Sequence, residues 1–181
     1  MAAGATMHTF EVELADMDRG VYEQFTVRAA RHPSETEAYL VTRVLAYCLE
    51  YEEGIAFSEG ISATDEPAVL VRDLSGKLLA WIEIGAPDAA RLHTGSKAAE
   101  RTVVYTHRDP AKVAAPWVGA KIHRADEIVL HSFDPGFVDA AVAVLERRNA
   151  VTLTVTERQF YLELNGVHLA SAIHAQPVAA G

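Results

Sequence analysis

A single cysteine, Cys48, stands in the whole chain, so no internal disulfide forms and a disulfide-stapled scaffold is excluded. It falls on the apolar side of a helical segment and reads as a buried small hydrophobe. Long apolar runs are missing too: nothing approaches the roughly 20 residues that a membrane-spanning helix needs. Residues Met1 to Met7 carry neither a basic start nor an apolar stretch. The expectation is a soluble cytoplasmic protein with no membrane partner. Basic charge is scarce, with 16 Lys and Arg against 25 Asp and Glu and a formal net charge of -9. Such a surface repels polyanions on average and argues against a broad basic face for duplex DNA, although a local basic strip or a bound divalent cation reverses the field within one groove. There is no Gly-rich phosphate loop and no Gly-x-Ser-x-Gly elbow, which removes P-loop nucleotide hydrolysis and serine hydrolase chemistry. Six of the eight histidines, His93, His107, His123, His131, His168 and His174, show no short ligand spacing on one helical face, which argues against zinc.

What the chain does have is apolar residue. Half of its 181 residues are hydrophobic, enough for one well-buried core and a single domain over residues 1–181. Thr9 to Leu14 and Phe25 to Ala29 alternate around turn residues 16–20 and read as an antiparallel N-terminal hairpin. Ser34 and Glu37 fit a capping box opening a helix to about Glu52, whose Leu40, Val41, Val44, Leu45, Cys48, Leu49 and Tyr51 share one stripe. Short strands follow at Ile55 to Ile61 and Val69 to Leu74, then an almost unbroken apolar strand from Leu78 to Gly85 with Glu83 set inside it. Pro87 and Asp88 open a helix to about Ala99, followed by a strand at Thr102 to Tyr105. Helices are expected at Pro110 to Ile122 and Asp134 to Arg148, with a strand at Glu127 to Ser132 between them. Val151 to Thr156, Gln159 to Leu164 and Val167 to Ile173 form a C-terminal antiparallel meander, with Asn165 and Gly166 as a type I′ turn.

Three acidic features stand out: Glu35 in the first turn of the long helix, the pair Asp65 and Glu66 before a strand, and Glu83. The order helix, three strands with the last two forming a hairpin, helix, strand is the α-β-β-β-α-β core of PD-(D/E)XK nucleases. The segments Ala15-Asp-Met-Asp-Arg19, Arg31-His-Pro-Ser-Glu-Thr36, Asp65-Glu-Pro67, Trp81-Ile-Glu-Ile-Gly85, Pro87-Asp88 and Val103-Val-Tyr-Thr106 resemble the characteristic segments of YaeQ proteins, nearly end to end.

The resemblance implies an α/β fold, a restriction-endonuclease-like three-layer sandwich with a mixed central sheet, flanked by the hairpin and the meander. By that analogy Asp65 or Glu66 stands for the first acid, Glu83 for the acid of the D/E-x-K element, and Glu35 for an outer helix-borne ligand. Two carboxylates a few ångströms apart hold magnesium, which polarises a phosphoryl oxygen and activates water. The expected function is then a magnesium-dependent phosphodiesterase on nucleic acid or another phosphate-containing substrate. The alternative is a non-catalytic descendant of the fold that binds a protein or nucleic acid, in transcription for example.

One departure matters, because Glu83-Ile84-Gly85 has glycine where the motif has lysine. Lys97, on the following helix with Ser96 beside it, is the candidate substitute. Each acid also has a structural reading. Glu35 suits the positive end of a helix, and Asp65 and Glu66 are ordinary turn residues. Glu83 is different, since a buried carboxylate without a partner costs several kcal/mol. It needs a cation: a metal, Lys97 or an arginine such as Arg72. Arg28, Arg31 and His32 read as surface residues that flank a strand end or as a phosphate contact.

Overall fold

The computed structural model describes residues 4–58 and 66–178. In chain order its elements are β1 (Thr6–Asp16), β2 (Val21–Arg31), α1 (Glu37–Leu49), β3 (Ile55–Phe57), β4 (Val69–Arg72), β5 (Leu78–Ile84), α2 (Ala89–Ala98), β6 (Arg101–Tyr105), α3 (Pro110–Ala114), β7 (Val129–Phe133), α4 (Phe137–Ala143), β8 (Arg148–Thr156), β9 (Gln159–Leu164) and β10 (Val167–Pro177). The fold is mixed α/β. It groups into two compact units, residues 4–44 with 133–174, and residues 45–58 and 66–132 with 175–178. Among the described residues, no helix is long and apolar enough to cross a membrane.

The first unit is built on strands in the order β2-β1-β8-β9-β10. β1 and β2 pair antiparallel from Thr6↔Arg31 to Asp16↔Val21, a longer hairpin than the alternating residues alone mark. β1 also runs parallel to β8, and β8, β9 and β10 form the expected antiparallel meander. Alternation does the sorting: Phe10, Val12 and Leu14, with Val151, Leu153 and Val155, are buried, while Glu11 and Glu13 are exposed. Phe133, Phe137 and Phe160 close this core, their ring centroids 4.9–5.8 Å apart. The Asn165-Gly166 turn has positive φ at both residues, 52° and 85°, as a type I′ turn requires.

Two helix expectations are corrected here. The cap of α1 is Thr36, whose Oγ1 accepts the Tyr39 N–H at 3.0 Å, whereas Ser34 bonds the His32 ring instead. The expected helix from Asp134 to Arg148 is only α4. Its continuation is lost because Arg147 O accepts the Thr9 N–H and the buried Asn149 bonds Thr9 O, Glu146 N and Glu146 O, so the chain joins β1 as β8. Sheet pairing outweighs helical propensity at this point.

The second unit has strands in the order β7-β6-β5-β4-β3. β3, β4 and β5 are antiparallel neighbours, while β5, β6 and β7 run parallel, so this sheet is mixed. Leu92 of α2 joins Val104, Val113, Trp117, Ile128 and Leu130 in a buried cluster on one side of it. The expected helix from Pro110 to Ile122 shrinks to α3 and a 3-10 turn at Ala115–Trp117, where Pro116 lacks the N–H that a longer helix needs. Cys48 is buried as expected. β3 stops at Phe57, short of the expected Ile61, and residues 59–61 lie outside the described residues. β4 ends at Arg72 in a turn where Asp73 Oδ1 accepts the N–H groups of Ser75 and Lys77, both at 2.9 Å.

Candidate functional site

The site is built on the second unit's central strand. β5 lies between β4 and β6, and its side chains alternate, so Trp81 and Glu83 share the face covered by α2. Glu83 is only 4% exposed. A buried carboxylate needs hydrogen-bond donors, and three N–H groups supply them, chiefly to Oε1. Trp81 Nε1 donates to Oε1 at 2.8 Å. Arg91 Nε donates to Oε1 at 3.0 Å and Oε2 at 3.2 Å, and Arg91 Nη2 donates to Oε1 at 2.8 Å. The guanidinium carbon also lies 5.9 Å from the Trp81 ring centroid.

Local sequence explains how Arg91 arrives. Gly85 holds a positive φ of 88° just past β5, and Asp88 caps α2 by accepting the Arg91 N–H at 2.9 Å. The chain folds back so that the first turn of α2 sits over Glu83 and Gly95 over Trp81. A methyl group at Gly95 would stand 2.6 Å from the indole, so glycine sets the approach of helix to strand.

Of the other acids expected from sequence, Glu66 is close by. Its backbone carbonyl accepts Arg91 Nη2 at 2.9 Å, while its carboxylate lies 3.5 Å from Arg72 Nη2. Asp65 lies outside the described residues. Arg72, named as a cation for Glu83, is thus paired with Glu66. Lys97 is exposed on α2, six residues beyond Arg91. Six residues advance a helix by about 9 Å and turn it by about 240°, which carries Lys97 away from the Arg91 side. Ser96 is buried, and its carbonyl accepts Arg124 Nη2 at 2.6 Å.

Glu35 belongs to the first unit. Its side chain is buried, with Arg43 Nη2 at 3.6 Å and no hydrogen-bond partner for Oε2. Burial pushes its carboxyl above the usual carboxylate range, and the Arg43 charge offsets this only in part. Arg31 is tied to the same turn, Nη1 donating to Glu35 O at 2.9 Å.

A second polar cluster occupies the opposite face of the second unit's sheet, where Ile84, Tyr105 and His131 form one row. The Tyr105 hydroxyl donates to Glu50 Oε2 at 2.6 Å, Arg101 Nη1 donates to Glu50 Oε1, and the Tyr105 and His131 rings stack at 4.5 Å. Tyr105 is only 2% exposed, while the side chain of Arg101 at the edge of the cluster is 40% exposed.

A magnesium ion at Glu83 would have to compete with Arg91 and Trp81 for the carboxylate. The ion prefers octahedral oxygen ligands, and here a guanidinium and an indole N–H already occupy the carboxylate. Among the described residues, no group of three or more His, Cys, Asp or Glu side chains is placed to hold a metal. Sequence reasoning asked for a cation at Glu83 and missed which one. The available signal was the short link at residues 85–88, which confines the first turn of α2 to the end of β5 that carries Glu83.

Comparison with known proteins adds the following. A family model described as YaeQ protein matches residues 1–173. The uncharacterized protein YaeQ of Escherichia coli K12 is 33% identical over 111 residues, 61% of this chain and 61% of that protein. The matched stretch thus spans less than two thirds of the curated relative. The crystal structure of YaeQ protein from Xanthomonas axonopodis pv. citri superposes with a TM-score of 0.85 at 26% identity, covering 96% of this chain and 98% of that one. That of YaeQ protein from Pseudomonas syringae gives 0.85 at 29% identity, covering 98% and 97%.

Proposed function

Because the chain belongs to the YaeQ family, we propose that it is a non-catalytic variant of the PD-(D/E)XK nuclease fold, a soluble cytoplasmic protein that acts by binding a partner. The observation that carries this reading is the pairing of Glu83: Arg91 and Trp81 donate to the carboxylate that a catalytic site would give to magnesium. The element order α1-β3-β4-β5-α2-β6, with its β4-β5 hairpin and parallel β5-β6 pair, supports nuclease ancestry. Glycine at position 85 and the exposure of Lys97 support loss of the chemistry, because neither supplies a cation to orient an attacking water. Arg91 takes over the structural half of the lysine's role. It neutralises the buried acid and, through its Nη2, ties down the backbone at Glu66.

A magnesium-dependent phosphodiesterase acting on nucleic acid or another phosphate substrate is the second reading. One observation favours it: the Arg91 guanidinium joins Glu83 to the Glu66 carbonyl, so the backbone of Glu66 lies beside Glu83. A metal there would require Arg91 to leave. The test is calorimetric titration of magnesium and manganese into the protein and into Glu83→Gln, with parallel incubation on single-stranded and branched DNA and RNA. The binding reading expects no metal heat at millimolar concentration and no cleavage. A magnesium-dependent product that disappears in Glu83→Gln overturns it.

A further inference from the structure

β2 ends the strand order of the first unit, so one long edge of its backbone meets no strand among the described residues. Which groups lie on that edge follows from the pairing on the far side of β1. Thr9 N donates to Arg147 O and Met17 N to Val155 O, so odd-numbered residues of β1 turn their backbone toward β8 and even-numbered ones toward β2. The register Asp16↔Val21 then joins the odd residues of β2 to β1 and leaves the N–H and C=O groups of Tyr22, Gln24, Thr26, Arg28 and Ala30 facing outward. The Ala30 carbonyl is taken by Arg43 Nη2 at 2.8 Å, which closes the edge at that end. The open stretch is Tyr22 to Arg28.

An open edge pairs with another strand unless something blocks it, and sheets commonly block it with proline, a bulge or a very short strand. None of these is present in the 11 residues of β2, which pair with β1 in unbroken register. Charge is the remaining guard, and here it is sorted by sign. Glu23 stands near one end of the open stretch and Arg28 at the other, both exposed and neither in an ion pair among the described residues. An antiparallel copy of the same strand sets unlike ends together, whereas an in-register parallel copy sets like on like.

We infer that β2 is the surface on which a second copy of this chain docks, strand antiparallel to strand about a two-fold axis through Phe25. In that register Tyr22 faces Arg28 of the second copy and Gln24 faces its Thr26, so the four open residues bond one another and nothing beyond Arg28 is needed. Tyr22, 63% exposed, offers its ring face to the guanidinium. Phe25, half-buried on the core side, meets its own copy at a non-hydrogen-bonded position, where opposed side chains are closest and aromatic pairs stabilise. Other axes fit less well. Moving the axis to Thr26 or Val27 draws in Ala30, whose carbonyl Arg43 holds, and moving it to Arg28 sets that arginine on itself. Moving it to Gln24 leaves Arg28 opposite Gly20, before the strand begins. This surface lies in the first unit, and the inference goes beyond the binding role drawn from Glu83 without depending on it.

The test is sedimentation velocity of the full chain at low salt over about 1–100 µM, the range suited to an interface below the standard size. A monomer–dimer equilibrium is expected. Glu23→Arg and Arg28→Glu, both at exposed positions, should each weaken the dimer about tenfold, because like charges then meet. An equimolar mixture of the two variants should restore association, since each end again meets its opposite, a rescue that a folding defect would not give. Tyr22→Ala should weaken the dimer severalfold, and Lys112→Glu, exposed in the second unit, should leave it unchanged. A monomer at every concentration, a dimer that ignores both reversals, or reversals that the mixture fails to rescue overturns the inference. So does a monomer that binds a labelled extended peptide of alternating threonine and valine, which would give the edge to a strand of another protein.

Discussion

Glu83 on β5 and Arg91 on α2 form an ion pair with three N–H···O contacts across the turn at residues 85–88, with the acid side chain 6% exposed and the arginine 29%. The pair links strand, helix and the backbone at Glu66 through one guanidinium. Removal of one member therefore differs in kind from removal of both. Arg91→Met leaves a buried carboxylate with only the Trp81 N–H and is expected to cost about 3–5 kcal/mol. Glu83→Leu with Arg91→Met strands no charge and should recover most of that loss. Urea denaturation of the single and double variants measures this coupling. An Arg91→Met protein as stable as the parent would show that Glu83 has another cation.

Gly95 makes a prediction of opposite sign to helix propensity. In an exposed helix, glycine to alanine stabilises by about 1 kcal/mol. Here the added methyl meets the Trp81 ring at 2.6 Å, and the indole is held by its bond to Glu83, so it cannot swing aside freely. Gly95→Ala is expected to destabilise by about 1–3 kcal/mol through overpacking. Trp81→Leu in the same background should relieve part of the clash, and thermal unfolding of the three variants decides it.

The element order and the strand faces were legible because alternation and buried runs are local signals. The apolar run from Leu78 to Gly85 announced a covered strand, and Glu83 within it announced a partner. Identity of that partner was not legible. Lys97 and Arg91 lie on the same helix, and the choice depends on a phase that Gly85, Asp88 and the Gly95–Trp81 contact fix in three dimensions. The shortened helices failed for a related reason. Nothing local in Glu146 to Asn149 reveals that β1 claims this backbone from the other end of the chain. The cap of α1 was misjudged by two residues because His32 competes for the Ser34 hydroxyl.

Glu35 supplies a pH dependence whose sign follows from its burial. Its carboxyl is held above the ordinary value of 4.5, mainly by burial and despite Arg43. The folded state therefore prefers the protonated acid more than the unfolded chain does. The stability that this preference contributes is full below pH 4.5 and is lost as pH rises through the folded value. Glu35→Gln removes the proton exchange while keeping the shape. Urea midpoints followed upward from pH 4.5 should thus fall more steeply in the parent than in Glu35→Gln, with the two curves parallel once Glu35 is fully ionised. Parallel curves through the whole range would mean that the Arg43 charge offsets the effect of burial completely.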